Sequence, residues 1–72
     1  MATDYEAKYK QLGRRIEQFR VERGMTQEAV AAKAEISHSY YSRIKDGRNI
    51  SIKTAINIAD ALGVSLSELF QL

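Results

Sequence analysis

Apolar residues recur along this chain at three- and four-residue intervals, in short runs that open on a polar cap and mostly close on a glycine. Tyr5, Tyr9, Leu12, Ile16 and Phe19 mark one face of a first helix. Thr3 with Glu6 fits a capping box at its start, and Gly24, just past Arg20 and Arg23, fits its stop. Thr26 reads as the N-cap of a short second helix with Val30, Ala31 and Ala34 inward. After a tight turn at 35–37, Ser37 caps a third helix that turns Tyr41 and Ile44 inward and ends at Asp46-Gly47. Ser51 caps a fourth, whose core stripe is Ile52, Ala55, Ile58, Ala59 and Leu62, closed by Gly63. Ser65 and Glu68 form a capping-box pattern before a short fifth helix. The spacing therefore predicts an all-α, five-helix fold with connections of ordinary length. It shows no strand and no internal repeat.

Such a chain, 72 residues long, is expected to be one domain spanning 1–72 with a modest core. It has no cysteine, so disulfides and thiolate metal sites are excluded, and a reducing, cytoplasmic setting is expected. No apolar run approaches the roughly 20 residues of a membrane span, and the N-terminus lacks a signal-peptide pattern. With one histidine, no glycine-rich phosphate loop and no paired-carboxylate constellation, the sequence does not read as an enzyme. Neither a cofactor, a metal nor a small-molecule ligand is implied.

Charge is unevenly spread. Residues 36–55 carry Arg43, Lys45, Arg48 and Lys53 against Asp46 alone, whereas residues 54–72 carry Asp60 and Glu68 and no cation. The first region suits a polyanion and the second does not. Within the first lies "SHSYYSRIKDG", residues 37–47, with more hydrogen-bonding groups than packing requires. Residues 26–46 have the length and order of a helix-turn-helix. The major groove is about 12 Å wide and admits one helix, so only that helix's first turn and outward face meet base edges. Here those positions are His38, Ser39 and Arg43, with Tyr40 beside them.

The stretch "MTQEAVAAKAEISHSYYSRIKDGRN" resembles the Cro/phage-repressor (XRE-type) helix-turn-helix family. Thr26, Gln27, Val30, Ala31, Ile36, Ser37, Tyr41, Ser42, Ile44 and Gly47 match its pattern, and "IADALGVSLSELF" resembles its last two helices. The resemblance covers roughly residues 10–70, and the "GRNIS" loop looks like that of restriction–modification controller proteins. It implies a lambda-repressor-like domain that regulates transcription by binding double-stranded DNA. His38, Ser39 and Arg43 would read bases. Thr26, Gln27, Ser37, Tyr40, Lys45, Arg48 and Asn49 would hold phosphates, with Gln27 also bracing the reading helix.

Two positions depart from the family. The turn usually has glycine where this chain has Glu35, so either the turn is reshaped or strain is carried. Lys45 stands where the family often pairs a glutamate with an arginine of the first helix, here Arg20. Arg20 is expected to turn to Glu17 or Asp46 instead, leaving Lys45 for phosphate.

One such module reads few base pairs, so a homodimer on a roughly palindromic operator is expected. Ile56, Leu66, Leu69, Phe70 and Leu72, within a cation-free region over 56–72, are the expected interface. The competing reading is a protein-interaction module, of antitoxin or anti-repressor type, on the same fold.

Overall fold

The computed structural model describes residues 4–72. Among them run five helices: α1 (Tyr5–Glu22), α2 (Gln27–Lys33), α3 (His38–Lys45), α4 (Ile52–Leu62) and α5 (Leu66–Leu69). Each starts where a short polar side chain takes up an otherwise orphaned backbone N–H. Thr26 accepts from Ala29 N, Ser37 from Tyr40 N, Ser51 from Thr54 N and Ser65 from Glu68 N. The Glu68 carboxylate returns the bond to Ser65 N at 3.0 Å, completing the expected capping box. Such caps contribute about 1 kcal/mol each. At α1 the cap is Asp4, which accepts from Ala7 N at 3.0 Å, and not the expected Thr3, which lies outside the described residues.

The first four helices end alike. A residue with positive φ follows the last turn, at Gly24, Glu35, Gly47 and Gly63. The next N–H then reaches back five residues: Met25 to Arg20 O, Ile36 to Ala31 O, Arg48 to Arg43 O and Val64 to Ala59 O. This is the Schellman closure, which normally places a glycine at the left-handed position. At Glu35, φ is 59°, the single positive value on a non-glycine among the described residues. The turn keeps its shape and carries the strain, about 1 kcal/mol. Past three of these ends the chain turns inward, with Met25 and Ile36 packed on the core and Val64 buried. The fourth, after α3, leaves Arg48 exposed.

All five helices contribute to the core: Leu12 and Ile16, Val30, Ala31 and Ala34, Tyr41 and Ile44, Ile58, Ala59 and Leu62, and Leu69, with Val64 from the last turn. Gly13 lets α1 cross the C-terminal end of α3 closely. A Cβ there would stand 2.3 Å from Lys45 O and 2.8 Å from Ile44 O, so any other residue must move α3. Three positions of the expected apolar stripes lie outside it: Tyr5, Tyr9 and Ile52. Tyr5 is exposed, in the first turn of α1. Ile52, in the first turn of α4, is 63% exposed. No described helix is long and apolar enough to cross a membrane.

Candidate nucleic-acid interface

Helix α3 divides sharply into two faces. Tyr41 and Ile44 are fully buried, while His38, Ser39 and Arg43 are exposed. Arg43 follows Ser39 by four residues, so both lie on the same outward side one turn apart. Arg48 and Asn49, in the loop after α3, are also exposed. The structure thus brings the expected base-reading residues onto one open face, followed by a loop that exposes Arg48 and Asn49. Thr26 and Ser37 use their hydroxyl oxygens as helix caps, and each hydroxyl keeps a proton to donate outward. Tyr40 is half-buried and packs against the core, so only part of it faces solvent. Lys45 pairs with the neighbouring Asp46 at 3.0 Å, a surface contact worth about 0–1 kcal/mol.

Behind this face sits a polar hub that joins α1, α2 and α3. Its centre is Glu17. The Arg20 Nε donates to Glu17 Oε2 at 2.8 Å and its Nη2 to Oε1 at 3.1 Å. The Tyr41 hydroxyl donates to Glu17 Oε2 at 2.6 Å, and the Gln27 amide to Oε1 at 3.3 Å. Arg20 spends its remaining arm on Met25 O, at 2.6 Å, which anchors the turn into α2. Gln27 in turn meets His38, with its Oε1 3.1 Å from the imidazole Nε2. Arg20 has therefore turned to Glu17, one of its two expected partners.

Burial works to raise the Glu17 pKa. The bonds from Arg20, Tyr41 and Gln27 outweigh it, and the carboxyl is held below its usual range. Arg20 is pushed up, first by its bond to Glu17. Tyr41 is pushed well above its usual range, mainly by burial and then by Glu17. The hub is thus a carboxylate, a guanidinium and a neutral phenol at ordinary pH, with donors and acceptors matched.

Sequence reasoning found the Glu17–Arg20 pair because it lies within one helix at three-residue spacing. It missed the bonds from Tyr41 and Gln27, which span 24 and 10 residues. Gln27 and His38 each directly follow an N-cap, and the fold brings these two first turns together.

At the opposite end of the charge distribution, the expected interface set divides. Ile56, Phe70 and Leu72 are 42%, 38% and 46% exposed. Leu69 is completely buried, and Leu66 packs partly on the core. Leu69 therefore belongs to the interior, since α5 closes the core with it. Among the described residues no cluster of histidine, cysteine or carboxylate is placed to hold a metal ion.

Residues 16–69 match the family model described as Helix-turn-helix. The control protein C.MunI of Mycoplasma sp is 38% identical over 60 residues, covering 81% of each chain. The immunity repressor protein of Bacillus phage phi105 is 42% identical over 57 residues, covering 78% of this chain and 40% of that one. Among solved structures, the restriction-modification controller protein C.AhdI from Aeromonas hydrophila superposes with a TM-score of 0.86 at 31% identity, covering 89% of this chain and 98% of that one. The controller protein C.Esp1396I gives 0.81 at 34% identity, covering 89% and 84%. With its capped α2 and α3, its Schellman turn and its closed five-helix core, the chain belongs to the helix-turn-helix family of the XRE type, together with the restriction–modification controller proteins.

Proposed function

We propose that this protein regulates transcription by binding a roughly palindromic DNA operator as a homodimer. The observation that carries the reading is the division of α3: an apolar face wholly buried, and a polar face of His38, Ser39 and Arg43 open to solvent. Its likeness to proteins named as control protein and immunity repressor supports a regulatory role. Arg43 is the strongest base reader, since a bidentate arginine–guanine pair contributes about 1–3 kcal/mol of discrimination. Gln27, Arg48 and Asn49 hold the backbone beside it, and Lys45 joins them by exchanging Asp46 for a phosphate.

Geometry favours two copies. An eight-residue α3 is about 12 Å long and so faces only a few base pairs. A two-fold axis sets two such helices about 34 Å apart, one turn of duplex. Ile56, Phe70 and Leu72 supply the apolar surface for that pairing, in a part of the chain free of cations.

Selection of bound sites from a random duplex pool tests this reading. The expected product is a two-fold symmetric site with half-sites one helical turn apart, bound with steep salt dependence. Recovery of no enriched site would contradict it, as would tight capture of a protein partner by a chain that never retards DNA.

A further inference from the structure

We propose that Glu17 is a positioning residue for recognition: acting through Gln27, its carboxylate fixes which imidazole nitrogen of His38 carries the proton, and so which bases α3 prefers. The inference rests on the DNA-binding reading above for its second half and on geometry alone for its first.

The chain of constraint runs outward from the hub. A carboxylate only accepts hydrogen bonds, so the Gln27 amide must turn its NH2 toward Glu17 Oε1, 3.3 Å away. That leaves the Gln27 carbonyl facing His38 Nε2 at 3.1 Å. A carbonyl also only accepts, so Nε2 must carry the proton. Glu17 cannot swing away from this task, because Arg20 and Tyr41 hold it from the other side.

In the neutral ring the lone pair is then on Nδ1. The Glu28 carboxylate stands 3.7 Å from that nitrogen, beyond direct hydrogen-bond reach, and both groups are substantially exposed. Two acceptors side by side suit a donor placed against them, such as the exocyclic amine of adenine or cytosine. They disfavour guanine, whose major-groove edge offers acceptors.

Replacing Glu17 by glutamine inverts the pattern. The new carboxamide has one carbonyl, and the Tyr41 hydroxyl and Arg20 Nε, at 2.6 and 2.8 Å, draw it to the position they share, against the longer 3.1 Å contact of Arg20 Nη2 at the other. Its NH2 then faces Gln27, which must flip to accept. The flipped amide donates to His38 Nε2, and the proton moves to Nδ1.

The test reads the ¹⁵N shifts of the His38 ring in the free protein, in mildly alkaline buffer, beside duplex binding. Wild type should show the Nε2–H tautomer, and Glu17→Gln a shift toward Nδ1–H. Tyr41→Phe removes another bond to Glu17 without breaking the relay, so it should leave the ring unchanged whatever it does to stability. Should Glu17→Gln fail to fold, Gln27→Met cuts the same relay in its middle and should leave a tautomer mixture. On DNA, the preference for adenine or cytosine over guanine opposite His38 should fall about tenfold in Glu17→Gln. Ring shifts identical to wild type in both relay variants would overturn the proposal. So would a changed tautomer with unchanged base preference. If wild type selects no sequence at all, the DNA reading fails, while the ring shifts still decide the relay.

Discussion

The two open surfaces of this small domain differ in kind. Around α3 and its following loop, what faces solvent is hydrogen-bonding and cationic: His38, Ser39, Arg43, Arg48 and Asn49. Elsewhere three apolar side chains stand open, Ile56 on α4 and Phe70 and Leu72 beyond α5, in a stretch of sequence with no cation from residue 54 onward. Both surfaces are backed by the same core, so the difference is not one of stability. Each suits a different neighbour, a hydrated polyanion on one side and another apolar surface on the other.

Breaking the apolar side should have the largest effect. Ile56→Asp with Phe70→Asp places charges in the proposed pairing surface while leaving α3 untouched. Sedimentation should show a monomer, and operator affinity should fall by about two orders of magnitude, a loss near 3 kcal/mol. A dimer that survives both charges would move the interface elsewhere.

Next come the cations, which sharpen the polar side. Arg43→Ala should cost about 1–3 kcal/mol on the selected site and little on random duplex. Arg48→Ala should weaken both alike and flatten the salt slope by about one unit. Retardation titrations across a salt series separate the two behaviours, and equal losses from both variants on both duplexes would contradict the division.

The turn between α2 and α3 gives a smaller effect of opposite sign. Glu35→Gly relieves the positive φ of 59° and should stabilise the fold by about 1 kcal/mol, read as a raised denaturation midpoint. A destabilised variant would show that the glutamate contributes something the strain conceals.

Acid should act mildly and through the hub. The Glu17 pKa is lowered in the fold, so its stabilisation is present above the unfolded carboxyl pKa of about 4.3 and is lost as pH falls through the folded value. Urea midpoints should therefore drop below about pH 4, and less so in Glu17→Gln.

The sequence was most legible where the cause is local. Thr26, Ser37, Ser51 and Ser65 cap helices through bonds spanning three residues, and each was readable from its neighbours. The inward pair Tyr41 and Ile44 followed from their spacing and, for Tyr41, from the aliphatic position it takes in the family pattern. Ile52 and Leu69 show where period fails. Both sit at plausible stripe positions near a helix end, but only the packing of neighbouring elements decides which is exposed and which buried. The terminal apolar cluster likewise could not be divided into core and surface by composition. Glu17 shows a second limit. Its pairing with Arg20 is written in one turn of helix, whereas its hold on Tyr41 and Gln27 exists only once three helices have met.

Amide shift mapping on addition of the selected duplex tests the assignment of the two surfaces most directly. Binding by α3 predicts the largest changes at residues 38–43 and at Arg48 and Asn49, with Ile56, Phe70 and Leu72 unmoved at a fixed dimer state. Changes centred on α4 and α5, with the first turn of α3 silent, would contradict it.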